Sequence, residues 1–238
     1  MIVRILFLLI ADLLSAVYVF GSGHGESSPG TDVTGRLNVV ASTSIIGDVV
    51  ANIGGDAINL SVLIGVGQDP HSFEPTPATL ASVESAQVIF TNGLGLEQNL
   101  IDIINATAKG VIVEVSKGIK PRGAEESDHD HGAFDPHVWF DPTKVLIWVD
   151  NIENALVKAD PPNQSGYHSR AERYRQSLTE LDSYIRSQTS SIPEKDKTLV
   201  TDHEVLGYFA DEYGFKLIGT ILPGVSAAGA ARSIRVCG

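Results

Sequence analysis

Cysteine is almost missing from this chain: Cys237, next to the end of the sequence, is the only one. Its isolation excludes a disulfide framework and a zinc site built on paired thiolates. Basic residues are scarce as well. Against 17 Lys and Arg stand 29 Asp and Glu, a formal charge of −12, and no Lys/Arg cluster offsets the balance. Such a surface repels phosphate backbones, so no nucleic-acid partner is expected, whereas a cationic ligand or a polar solute is not disfavoured. No apolar run reaches the roughly 20 residues of a membrane-spanning helix. What is present suffices for folding: 43 % hydrophobic residues supply a core, and 19 % charged residues are too ordinary for wholesale disorder.

The longest apolar run stands at the N-terminus. Arg4 precedes Ile5–Phe20, which is broken by Asp12 and Ser15 and followed by Gly21, Ser22 and Gly23. Charge, apolar core, small residues and then a polar stretch is the order of a secretory signal peptide. Residues 1–23 therefore read as a signal peptide or N-terminal anchor, residues 24–36 as a polar linker, and the chain as exported. The location is periplasmic or at the cell surface. No Cys stands near the cleavage region, which leaves no site for a lipid anchor.

From Leu37 onward, β-type runs alternate with helix-type segments. Strands are expected at Leu37–Ala41, Ile58–Ile64, Val88–Thr91 and Val111–Val115. Helices are expected at Ser44–Ile53, at Thr76–Ser85 with Pro77 in its first position, and at Leu96–Ala108. This rhythm predicts an α/β fold whose parallel sheet is flanked by helices, with functional residues in loops at the strand ends. Residues 117–135 form a polar Gly- and Pro-containing loop. A helix at Thr143–Ala159 follows, then a long one at Gln164–Ser191. In the long helix Tyr167, Ala171, Tyr174, Leu178, Leu181 and Ile185 hold one narrow stripe. So thin a stripe suits a helix that lies along a surface or bridges two lobes. The pattern resumes with Thr198–Thr201, a helix Glu204–Tyr213, and Phe215–Leu222.

Three histidines share a context. His71 lies in Asp69-Pro70-His71, His137 in Asp135-Pro136-His137, and His203 directly follows Asp202. Each comes after a strand, with an Asp one or two residues before it. They are spaced 66 and 66 residues apart, so any convergence is tertiary. Imidazoles suit divalent zinc, the prolines stiffen two of the loops, and nearby carboxylates can fix the ring tautomer. The plainer alternative is that strand-end histidines cap helices or satisfy backbone groups.

These residues resemble a known family. VVASTSIIGDVVANIGGD, DPHSFEPTP, DPHVWFDP, YHSRAERYRQSLTELDSYI and TDHEVLGYFADEYG are similar to segments of the zinc/manganese-type solute-binding proteins of bacterial ABC importers, also known as adhesin-like lipoproteins. The likeness runs from Leu37 to about Leu222. It implies two α/β lobes joined by one long helix, with a divalent metal captured in the cleft and delivered to a membrane ABC permease. Residues 37–162 become the N-terminal metal-binding lobe, 163–192 the linker helix and 193–238 a partial C-terminal lobe. His71, His137 and His203 become the metal ligands. A monomer is expected, and binding rather than catalysis.

Zn²⁺ is favoured and Mn²⁺ is the alternative. The third position carries the nitrogen donor His203, where manganese-selective relatives tend to place a carboxylate, the harder donor that Mn²⁺ prefers. Asp128, His129, Asp130 and His131 form a short His/acid tract of the kind common in zinc members, an accessory capture site or else a solvated tract. One departure stands out. The family's fourth ligand, a carboxylate, lies well downstream of the third, yet only 35 residues follow His203, and the last of them read Ala/Gly/Arg. A truncation or frameshift shortly after Val225 is the expectation. Two other functions compete: a secreted zinc hydrolase, for which Glu204 is the obvious general base, and a surface adhesin.

Overall fold

The computed structural model describes residues 35–123, 134–201 and 205–220. The export segment, the accessory residues Asp128, His129, Asp130 and His131, the third histidine His203, Glu204 and the tail after Val225 lie outside the described residues. Strand β1 (Leu37–Thr43) leads into helix α1 (Ser44–Gly54), whose first turn is capped by the Thr43 hydroxyl accepting from the Ile46 N–H at 3.3 Å. Then come β2 (Ile58–Ile64), α2 (Pro77–Ser85), β3 (Val88–Thr91), α3 (Gln98–Thr107) and β4 (Val111–Glu114). Helix α2 begins as its sequence predicts. Thr76 and Thr79 form a reciprocal capping box at 3.1 and 3.2 Å, and Pro77 occupies the first turn, where its missing N–H leaves no bond unmade.

The four strands pair in parallel in the order β2-β1-β3-β4. A parallel sheet covered on both faces needs apolar residues on both sides of each strand. Successive side chains of β1 and β3 accordingly serve two cores. Val39, Ala41, Val88 and Phe90 join α1 and the later helices on one face, and Val40 and Ile89 join Ile64, Val83, Leu100 and Ile104 on the other. The order reverses at β1, whose neighbours β2 and β3 leave it on opposite sides. Beyond the carboxyl ends of such strands an open α/β sheet leaves a crevice for a ligand.

Helix α4 (Pro142–Ala159) and the long α5 (Gln164–Ser190) fold back on each other across a short turn. Arg175 of α5 binds Asp150 and Glu153 of α4, and His168, itself exposed, sits 2.9 Å from Glu153. The expected stripe is only partly buried. Tyr167, Ala171 and Leu178 are inside, but Leu181 is 46 % exposed. Length explains the difference: α4 has 18 residues against 27 in α5, so the far end of α5 outruns its partner. That end meets instead the second strand–helix–strand unit, β5 (Thr198–Thr201), α6 (Gly207–Tyr213) and β6 (Lys216–Thr220), through Tyr213–Asp182 and Arg186–Glu212 contacts. Strands β5 and β6 pair in parallel as a separate two-stranded sheet. Among the described residues no helix is long and apolar enough to cross a membrane.

Arg170 fastens α5 to α1. Its guanidinium donates to the carbonyls of Ile53 and Gly54, at 2.6 and 2.8 Å, where α1 ends and its last carbonyls have no helical partner. Arg170→Met keeps the aliphatic stem and removes both donors. It is expected to cost about 1–3 kcal/mol in urea denaturation, since the bonds are charge-assisted and partly buried. A midpoint equal to wild type would show the cap to be without energetic consequence.

Candidate metal centre

His71 stands in the loop after β2 and His137 in the segment before α4. The shared Asp-Pro-His sequence makes the same local turn at both places. In each, the Asp Oδ1 accepts from the backbone N–H of the His two residues on, at 2.9 Å. Proline between them fixes φ and narrows the conformations open to the loop. Asp69 also accepts from the Ser72 hydroxyl, and Asn99 donates to the His71 carbonyl, so the half-buried His71 loop is tied from both sides. His137 is almost fully buried, and its Nδ1 lies 2.9 Å from Asp135 Oδ1. Nδ1–H donating to that carboxylate fixes the tautomer that carries its lone pair on Nε2, the arrangement found behind metal-bound histidines.

The two imidazoles face one cavity, with centroids 5.9 Å apart and planes at 67°. An ion about 2.1 Å from a nitrogen of each ring places the centroids at most about 6.5 Å apart. The observed separation fits inside that limit. The cavity measures about 490 Å³ and is walled by Ile64, Leu96, Trp139 and Phe140, with Val205 from beyond β5 reaching it as well. Trp139 stacks edge-on against His137 at 5.2 Å. Thr43, Ser44, Gln68 and Asp69 add polar groups to the lining, and the apolar walls strengthen electrostatic contacts made against them.

Several residues that hold this site give no signal in the sequence. Glu97 is 3 % exposed, at the start of α3. It accepts from the Ser42 hydroxyl at 2.7 Å and from the backbone N–H groups of Asn92 and Gly93, fixing the turn after β3. Asn92 in turn donates to the Pro136 carbonyl at 3.1 Å, one residue from His137. Burial pushes the Glu97 carboxyl above its ordinary range, and the bonds from Ser42, Asn92 and Gly93 oppose this without cancelling it. A carboxyl raised on folding stabilises most below its unfolded value and progressively less as pH climbs through the folded one. Metal-free wild type is therefore expected to lose stability relative to Glu97→Gln as pH rises above the ordinary carboxylate range of about 4. Parallel denaturation profiles of the two proteins would show that the carboxyl does not titrate upward.

The class is thus an α/β protein with a paired-histidine crevice beyond the carboxyl ends of its parallel strands. Residues 39–236 match the family described as ZnuA, zinc-uptake complex component A, periplasmic, and the chain belongs to that family. It is 36 % identical over 208 residues to the manganese-binding lipoprotein MntA of Halalkalibacterium halodurans, covering 87 % of this chain and 68 % of that protein. It is 32 % identical to the iron-binding protein YfeA of Yersinia pestis, covering 80 % and 61 %. Among solved structures, a Mn-bound periplasmic metal binding protein from Candidatus Liberibacter asiaticus superposes with a TM-score of 0.71 at 30 % identity, covering 77 % of this chain and 68 % of that one. A zinc-bound ZnuA deletion mutant gives 0.73 at 26 % identity, covering 81 % and 73 %. The chain thus spans about two thirds of the length of these relatives. The resemblance carried by DPHSFEPTP and DPHVWFDP is to this same family, and the α/β fold it implies is the one observed. Relatives named for manganese and iron stand beside a family named for zinc, so the family does not select among the metals.

Proposed function

We propose that this protein captures a divalent transition metal outside the cytoplasm and delivers it to a membrane ABC permease. The observation that carries the reading is the pair of Asp-Pro-His turns that bring His71 and His137 onto one cavity, 5.9 Å apart. His203 is the third ligand. Its support is that Val205, two residues further on, lines the same cavity. Residues 37–162 and 193–238 act as the two walls of the cleft, and 163–192 as the helix between them. The ion is cargo: it is bound and released without turnover, and His71, His137 and His203 hold it through nitrogen lone pairs that exist only on unprotonated imidazole.

Zinc is the favoured cargo. Three nitrogen donors suit it better than they suit manganese, and the Asp128–His131 tract adds a further set of donors for capture. Affinity alone does not identify the metal, because almost any nitrogen/oxygen site prefers Zn²⁺ to Mn²⁺. Metal analysis of protein recovered from the exported fraction of cells grown with both metals decides it. One zinc per chain with no esterase or peptidase turnover is the expected result. Manganese at that stoichiometry would overturn the choice of cargo, and hydrolytic turnover would overturn the binding role.

A further inference from the structure

The main chain of the residue behind His137 is held from the unit that carries the second sheet. Asp135 lies on a short antiparallel contact in which its N–H donates to the Arg122 carbonyl at 3.0 Å and Gly123 bridges Phe134. Helix α6, between β5 and β6, packs onto this contact. The buried Tyr208 hydroxyl accepts from the Arg122 N–H at 2.9 Å and donates to the Asp135 carbonyl at 2.9 Å, closing the two segments together. One turn further along α6, Asp211 binds Arg122 Nε at 3.1 Å, while Arg122 Nη1 stands 3.7 Å from Asp135 Oδ2. Gly207 completes the fit. A Cβ there would lie 2.6 Å from Asp135 Oδ2 and 2.5 Å from Arg122 Nη1, closer than side chains approach one another. A helix of the second unit therefore touches the backbone, the carboxylate oxygen and the cationic neighbour of one residue, and that residue orients His137.

We infer that Tyr208 is a positioning residue for the bound metal, tying the placement of α6 to the orientation of His137 through Asp135. The inference rests on His137 being a ligand. Its consequence is mechanical. Any displacement of the β5–α6–β6 unit from the first sheet breaks the bond from Tyr208 to the Asp135 backbone carbonyl, and the residue whose carboxylate fixes the His137 tautomer then loses a support of its main chain. Separation of the two sheets and weakening of the metal site become one event, which couples opening of the cleft to release of the ion. Tyr213 on the same helix supplies the control, since its hydroxyl donates to Asp182 of α5 at 3.0 Å, away from the cavity.

The test compares Tyr208→Phe with Tyr213→Phe in the full chain. Zn²⁺ affinity is read by chelator competition, and the visible spectrum of the Co²⁺-loaded protein reports ligand geometry. Tyr208→Phe is expected to weaken Zn²⁺ binding about tenfold, the size of effect that follows loss of support behind a ligand, and to alter the Co²⁺ bands. Gly207→Ala is expected to do the same by pushing on Asp135. Tyr213→Phe keeps wild-type affinity and spectrum, even where its thermal midpoint falls as far as that of Tyr208→Phe. Wild-type affinity and spectrum in Tyr208→Phe, or an equal loss in Tyr213→Phe, would overturn the inference while leaving metal capture intact. A wild-type chain that binds no Zn²⁺ would overturn the functional reading beneath it, and the inference with it.

Discussion

His137→Ala is expected to weaken Zn²⁺ binding by about 100-fold or more, beyond the 10- to 100-fold that follows loss of a group behind a ligand. The side chain is almost fully buried, its Nδ1 is engaged by Asp135, and its ring faces the cavity shared with His71. Trp139, Phe140 and Leu96 of the cavity wall offer no lone pair suited to the ion, and Asp69 and Gln68, which also line it, offer oxygen in place of the lost imidazole nitrogen. His71→Ala is expected to act in the same direction, since Asp69 and Asn99 hold its loop ready. His203→Ala is expected to cost less, because the loops of His71 and His137 are tied to the unit built on the four-stranded sheet, whereas His203 follows in sequence a strand of the two-stranded one. His168→Ala is the control, its ring 65 % exposed beside Glu153. Isothermal titration of the four variants ranks them. A His137→Ala protein that binds as wild type does would move the site elsewhere.

Trp148→Ala is expected to cost about 3–5 kcal/mol, the usual range for emptying a core position of that size. Trp148 has no exposed surface, and its indole N–H donates to the Ser116 hydroxyl at 3.0 Å. Truncation would open a cavity between α4 and the sheet and leave the Ser116 hydroxyl, itself buried, without its donor. Set against a typical domain stability of about 5–15 kcal/mol, the variant is expected to be marginal or unfolded at 37 °C. The loss also reaches the site, because Trp148 lies 6.4 Å from Trp139, and Trp139 lies against His137. Trp148→Phe is expected to fall between the two. A guanidinium melt of Trp148→Ala within about 1 kcal/mol of wild type, a bound set by the same size rule, would contradict this packing.

The strands were legible because a parallel sheet buried on both faces demands predominantly apolar runs, as in Leu37–Ala41 and Val88–Thr91. The histidine pair was legible because an Asp-Pro-His turn is local: the Asp that orients the ring stands two residues away in sequence as in space. The supports of the site were not, since they depend on contacts between distant segments. Glu97 follows two leucines and two glycines and reads as the exposed start of a helix, yet the strands carry Ser42, Asn92 and Gly93 onto its carboxylate. Tyr208 reads as one more apolar residue of a short helix. Only the packing of α6 on residue 135 gives its hydroxyl a partner 73 residues away. The stripe on α5 suited a helix along a surface or between lobes, and Leu181 stays 46 % exposed because periodicity records what a helix could bury and not how far its neighbour extends.

The central claim is that one ion sits between His71 and His137, and X-ray absorption of the zinc-loaded chain tests it most directly. The account predicts a first shell of nitrogen and oxygen donors at about 2.0–2.1 Å, with the outer-shell scattering of imidazole, and no sulfur. It also predicts that the imidazole contribution falls by one ring in His71→Ala and by one in His137→Ala, wherever zinc is still retained at high concentration. An imidazole contribution unchanged in both variants would contradict it.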